Sequence, residues 1–174
     1  RELGVDHLLG INAVGGIAPA AAPGRLVIPD QLIDYTWGRD HTFTGDSRFP
    51  LQHVAFTTPF SPSLRGRLLA AAEECGLDLM PAGTYGATQG PRLETAAEID
   101  RLERDGCHVV GMTAMPEAGL ARELDLSYAI CCVVVNHAAG RASAGLTIHA
   151  EIAASLDSGM AEVRRLIAGL LATD

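Results

Sequence analysis

Residues 129–135 read Ala-Ile-Cys-Cys-Val-Val-Val, an unbroken apolar run with four β-branched positions. Side chains alternate between the two faces of a strand, so a run with no polar member leaves neither face fit for water. Its length and β-branching favour a strand over a stretch of buried helix. A strand covered on both faces needs a layer on each side, and in a single domain those layers are helices. The chain has 174 residues, 48% of them hydrophobic. That suffices for one such domain over residues 1–174.

The rest of the chain agrees with an α/β plan. Residues 8–14 are apolar apart from Asn12 and run into Gly15-Gly16, as a buried strand entering a tight loop would. Residues 26–28 form a second short strand, and 29–62 are rich in Pro and Gly and read as loop. Ser61-Pro62 supplies an N-cap and a first-turn proline for a helix that stops at Gly76. Residues 79–88 read as a strand broken by glycines. Thr95-Ala96-Ala97-Glu98 has capping-box spacing and opens a helix ending near Gly106. A strand at 107–112 and a short helix at 116–123 follow. Ile152, Leu156, Met160, Val163 and Ile167 fall on one face of a final helix. The opening Arg1-Glu2-Leu3-Gly4 reads as the end of a helix with Gly4 beyond its last turn, so the chain is expected to begin within a fold.

Charge excludes some partners. The formal net charge is −8, and the 13 Lys and Arg residues are scattered. No basic patch suited to nucleic acid results. Backbone N–H groups can still bind a single phosphate locally. No apolar run is long enough for a bilayer, and no stretch reads as a signal peptide. Cys75, Cys107, Cys131 and Cys132 include no C-x-x-C pair, which fits reduced thiols in a cytoplasmic protein. His7, His41, His108 and His137 lack metal-ligand spacing, so no metal is expected.

In open sheets of this kind, ligands bind beyond the C-terminal ends of the strands. Four such ends carry small or polar residues: Asn12-Ala13-Val14-Gly15-Gly16-Ile17; Gly83-Thr84-Tyr85 followed by Gly90-Pro91-Arg92-Leu93-Glu94-Thr95; Gly111-Met112-Thr113 with Met115-Pro116-Glu117; and Val135-Asn136. These stretches, with Asp30-Gln31-Leu32-Ile33-Asp34, resemble the trimeric purine nucleoside phosphorylase and methylthioadenosine phosphorylase family. Within it they resemble the bacterial members that act on S-methyl-5′-thioinosine. The resemblance implies a three-layer α/β fold with a mixed, largely parallel sheet, here without its N-terminal strands. It also implies that this chain matches the C-terminal two-thirds of a member. A Gly-rich phosphate loop and an Arg-His pair would then lie outside it.

The family reaction is phosphorolysis of a nucleoside. Positive charge develops on the sugar and negative charge on the departing base. By resemblance, Asn12, the backbone N–H of Ala13 and the Thr113 hydroxyl hold phosphate, with Gly15 in a turn that admits an anion. Met112 lies against the ribose and Leu93 against the base. Asn136 and Glu94 are the candidate catalytic pair. Methylthioadenosine phosphorylases carry Asp at the positions of Asn136 and Ala138. An amide offers both a donor and an acceptor, which suits O6 and N7 of a 6-oxopurine. Glu94 matches a carboxylate that accepts the N1–H of hypoxanthine, a hydrogen that adenine lacks. His137 lines the base site through its backbone.

The 5′ substituent divides the evidence. His53 matches a histidine that methylthio-specific relatives lend from a neighbouring subunit, whereas His149 matches one that contacts a 5′-hydroxyl. The expected substrates are thus S-methyl-5′-thioinosine first and inosine or guanosine second. Phosphate is the co-substrate, no cofactor is expected, and the assembly is a homotrimer. A nucleoside hydrolase and a base-binding remnant without turnover remain open as alternatives.

Overall fold

The computed structural model describes residues 2–45, 47–142 and 147–172. The apolar run is the middle of strand β7 (Ser127–His137), buried at every position from Tyr128 to Asn136. Its alternating side chains divide the core in two. Ala129, Cys131, Val133 and Val135 face one cluster, with Leu64, Leu68 and Ala71 of α1 (Pro62–Glu74) and Val163, Leu166 and Leu170 of α4 (Ile148–Ala172). Tyr128, Ile130, Cys132 and Val134 face the other, with Ala114, Ala118 and Ala121 of α3 (Ala114–Glu123). A third cluster joins Ile99 and Leu102 of α2 (Ala96–Arg104) to Ile17, Val110 and Ala138.

The remaining strands are β1 (His7–Gly16), β2 (Leu26–Val27), β3 (Gln31–Asp34), β4 (Leu79–Met80), β5 (Thr84–Ala87) and β6 (Val109–Gly111). Among the described residues they form a seven-stranded sheet of order β3-β5-β6-β1-β7-β2-β4. The β1–β7, β2–β4, β3–β5 and β5–β6 pairs are parallel, and β1–β6 and β2–β7 are antiparallel. The sheet is therefore mixed and largely parallel, as expected.

The helix ends follow the sequence signals. The Ser61 hydroxyl accepts from the N–H of Leu64 at 3.3 Å. At α2 the capping box is complete: Thr95 Oγ1 accepts from the Glu98 N–H, and the Glu98 carboxylate accepts from the Thr95 N–H at 2.7 Å. Gly4 has a φ of 72° after a turn at residues 2–3, whereas Arg1 lies outside the described residues.

Four expectations need correction. Gly15 and Gly16 do not form a tight turn. They continue β1, pairing with Asn136 and His137 across a register shift after Val14 and with Val110 and Val109 on the other side. The chain turns only at residues 19–21. Residues 31–34 are a strand, because β5 offers them a parallel partner; four residues at a sheet edge are too few to show a period. The 79–88 stretch is two strands, β4 at one edge and β5 near the other, separated by Pro81-Ala82-Gly83. Finally, α4 presents Gly159, Val163, Leu166 and Leu170, while Leu156 is exposed. A Cβ on Gly159 would stand 2.4 Å from Val133 Cγ1, so this glycine lets the helix sit close on the sheet and sets its rotation.

Candidate active site

A cavity of about 290 Å³ lies against the last residues of β1 and β7 and the C-terminal end of β6. Ala13, Gly15, Leu93, Glu94, Met112, Thr113, Asn136 and Ala138 all line it, together with Ile148 and Ile152 of α4. The strand pairing explains this convergence. Parallel β1 and β7 end together, and the bulge after Val14 sets Gly15 opposite Asn136. A Cβ added to Gly15 would lie 3.5 Å from Asn136 Nδ2. That is ordinary van der Waals contact with the amide; the tighter approach would be to Val110 Cγ1, at 3.2 Å.

Asn136 is 8% exposed. Its Nδ2 donates to the His137 carbonyl at 2.6 Å. That bond uses one of its two hydrogens, and Oδ1 has no partner among the described residues. An amide with one donor and one acceptor remaining can pair with adjacent acceptor and donor atoms on a ligand.

Glu94 stands one residue before the N-cap of α2 and lines this cavity as well as a neighbouring one of about 310 Å³. Thr88 Oγ1 donates to Glu94 Oε1 at 2.6 Å. The second cavity carries Tyr35, Trp37, Gln89, Arg92 and Arg101. There Arg92 grips Glu98 through two nitrogens, at 2.8 and 2.7 Å. That grip, aided by the Thr95 N–H, holds the Glu98 carboxyl down at about 2.

Asn12 and Thr113, expected to act on one anion, are hydrogen-bonded to each other. Asn12 Nδ2 donates to Thr113 Oγ1 at 2.7 Å. Thr113 occupies the N-cap of α3 without making a side-chain cap bond. Having accepted from Asn12, its hydroxyl keeps its hydrogen for an acceptor beyond. The Thr113 N–H meets the Tyr85 hydroxyl at 3.3 Å, and burial pushes that phenol up.

Three histidines are not brought to the cavity by their side chains. His53 and His149 are exposed and line no part of it. The α4 geometry accounts for His149: Ile148 and Ile152, four apart, share the cavity-facing side, and the next residue is rotated away. The His137 ring is held by Glu151, with Nδ1 3.0 Å from Oε1, and the His137 N–H donates to Oε2 at 2.8 Å. Glu151 is only 6% exposed. Burial opposes its ionisation, but the two bonds from His137 outweigh that and hold the carboxyl below its ordinary value.

Sequence reasoning missed Arg39, Thr88 and Glu151. Arg39 Nη1 donates to the carbonyls of Met112, at 2.7 Å, and Met115. Its Nη2 donates to the carbonyls of Thr88 and Gln89, at 3.2 and 2.9 Å, and Nε donates to Gln89 Oε1 at 3.2 Å. One guanidinium therefore joins the loop after β5 to the loop after β6, on two sides of the cavity. A lone arginine in a loop gives no sequence signal of this. Gly90 completes the junction: its φ of 62° suits glycine, and a Cβ there would stand 2.4 Å from Met112 Sδ.

Among the described residues, no group of three or more His, Cys, Asp or Glu could hold a metal ion. No described helix is long and apolar enough to cross a membrane.

A profile of the phosphorylase superfamily matches residues 1–172. A protein of Pseudomonas syringae pv. tomato, named probable S-methyl-5′-thioinosine phosphorylase, is 50% identical over 98% of this chain and 69% of its own length. The 6-oxopurine nucleoside phosphorylase of Pyrococcus furiosus is 43% identical over 95% of this chain and 64% of its own. The methylthioadenosine phosphorylase of Schistosoma mansoni, solved with adenine, superposes with a TM-score of 0.90 at 27% identity, covering 99% of this chain and 67% of that one. The chain thus spans about two thirds of the length of these relatives.

Proposed function

This chain belongs to the phosphorylase superfamily, and from that premise we propose that its strand-end cavity binds a 6-oxopurine nucleoside for phosphorolysis. Phosphate forms a bond to C1′ of the sugar as the bond from C1′ to the base breaks, and the electron pair leaves with the base. The enzyme accelerates this by placing phosphate against the sugar and by meeting the charge that arrives on the purine.

What supports this reading most is that Asn136 and Glu94 line one 290 Å³ cavity. The Asn136 amide serves O6 and N7, and a donor there stabilises the departing base. Glu94 accepts N1–H. A 6-amino purine would set a lone pair at N1 against a carboxylate, and such a mispairing costs about 1–3 kcal/mol. Leu93 and Ala138 pack on the base, Met112 on the ribose. Asn12, the Ala13 N–H and the Thr113 hydroxyl receive phosphate, with Gly15 leaving space beside them. His137 contributes by backbone, as the partner that orients Asn136.

S-methyl-5′-thioinosine is the substrate this reading favours, giving hypoxanthine and 5-methylthioribose 1-phosphate. Ile148 and Ile152 supply an apolar wall for a thioether, and His149 faces elsewhere. Inosine and guanosine come second. His53 is exposed; its assignment to the site of a neighbouring copy, in a cytoplasmic homotrimer, is part of the proposal. Inorganic phosphate is the co-substrate and no cofactor takes part.

A second reading has its own support. No Lys or Arg lines the cavity among the described residues, so the phosphate half rests on neutral donors. A chain that binds the base without turnover would fit that. Calorimetry with hypoxanthine beside a turnover assay separates the two: base binding without product favours the remnant. Product analysis with and without phosphate tests the reaction class. Sugar 1-phosphate formed only with phosphate supports phosphorolysis, and free sugar in its absence means a hydrolase.

A further inference from the structure

We propose that Thr88 is a positioning residue that keeps Glu94 an acceptor aimed at the base, and so sets the preference for a ligand with hydrogen at N1. This rests on the reading of Glu94 given above.

The Thr88 hydroxyl has one hydrogen and two acceptors within reach, Glu94 Oε1 at 2.6 Å and the Gly111 carbonyl at 3.4 Å. The shorter contact has the length of a hydroxyl donating to a charged oxygen. Thr88 is itself tightly held. It follows directly after β5, and its N–H donates to the Gly111 carbonyl at 2.8 Å. Its own carbonyl receives Nη2 of Arg39 at 3.2 Å. The hydroxyl therefore reaches Glu94 from a backbone fixed at two points. With Oε1 satisfied, Oε2 is the oxygen left to accept from a ligand, since Glu94 makes no other hydrogen bond among the described residues. A ligand N–H meets an acceptor there, and a ligand lone pair meets repulsion. Valine at position 88 would keep the shape and remove the donor, freeing the carboxylate to rotate or to point its other oxygen away.

The test is calorimetry of hypoxanthine and adenine binding to the intact protein and to Glu94→Gln, Thr88→Val and Thr88→Ser, with a melting curve for each. Glu94→Gln is expected to weaken hypoxanthine at least tenfold. Thr88→Val should weaken hypoxanthine about tenfold, leave adenine within about twofold, and so compress the ratio between the two bases. Thr88→Ser should restore the ratio. If Glu94→Gln leaves hypoxanthine affinity unchanged, the base-binding reading itself fails. If Glu94→Gln acts but Thr88→Val does not, the Thr88 role is overturned. The same holds if Thr88→Val weakens both bases alike, or if serine fails to rescue, because then the residue only supports the fold. Should the valine variant unfold, Thr88→Ala against Thr88→Ser makes the same comparison, since both lack the methyl and differ only in the hydroxyl.

Discussion

Arg39→Met removes the guanidinium while keeping most of an apolar stem. Five hydrogen bonds go with it, four to main-chain carbonyls and one to the Gln89 side chain. A hydrogen bond with one charged partner contributes about 1.5–3 kcal/mol. Adding all five would overshoot, because bonds to a single group are not independent and carbonyls in surface loops can recover water. Counting only the bonds to Met112, at 2.7 Å, and the Gln89 carbonyl, at 2.9 Å, gives a loss of about 3–6 kcal/mol of stability. Lysine cannot reproduce the planar fork, so Arg39→Lys should recover less than half of the loss. The measurement is urea unfolding with the slope checked for constancy, beside hypoxanthine binding by calorimetry. Both loops line the cavity, so hypoxanthine affinity should fall more than tenfold in Arg39→Met under conditions where it remains folded. A variant within about 1 kcal/mol of the parent and with unchanged affinity would refute the view that this arginine ties the strand ends together.

Other perturbations test separate parts of the molecule. Asn136→Asp should move preference toward 6-amino purines by about 5–150-fold, from a mispairing of about 1–3 kcal/mol; rates with inosine and adenosine read this, and full retention of the inosine preference contradicts the role of the amide. Glu151 has a lowered folded value, so its stabilisation is present above the ordinary glutamate value of 4.5 and is lost as pH falls through the folded one. Denaturation midpoints of the parent and Glu151→Gln should therefore differ at neutral pH and converge in acid. Of the four cysteines, Cys107, Cys131 and Cys132 are buried and Cys75 is partly exposed. Burial lifts the Cys131 thiol to about 12, so a thiol reagent should modify one cysteine per native chain near pH 8, found at Cys75 by peptide mapping. Leu68, fully buried between α1 and the sheet, should cost about 2–5 kcal/mol when cut to alanine.

What the sequence made legible followed from strong local signals. The 129–135 run could only be satisfied by cover on both faces, and the two clusters on β7 divide its side chains alternately. Ser61, Thr95 and Glu98 announced two helix starts because capping is settled within four residues. What was hidden depended on partners distant in the chain. β3 exists because β5 lies beside it, 53 residues later, and no period shows in four residues. The rotation of α4 is set by Gly159 meeting Val133, so counting large apolar residues chose a face containing exposed Leu156. The Gly15-Gly16 pair carries the same dipeptide whether it turns or extends, and only the pairing with Asn136 and Val110 decides.

The candidate site divides along the same line. Asn136, Glu94, Met112 and Thr113 sit at strand ends or helix entrances, where the topology of an α/β sheet already points. Thr88, Arg39 and Glu151 touch the cavity through other residues, and each is visible only as a contact. That separation has a chemical consequence. An amide that could adopt either orientation, or a carboxylate free to rotate, would read both edges of a purine almost equally. Discrimination requires that one orientation be favoured before the ligand arrives, and the groups that impose it are His137 on Asn136 and Thr88 on Glu94. The preference for an oxo over an amino purine should thus respond to Thr88 and Glu151, the latter acting through His137, and not only to the two residues that face the base.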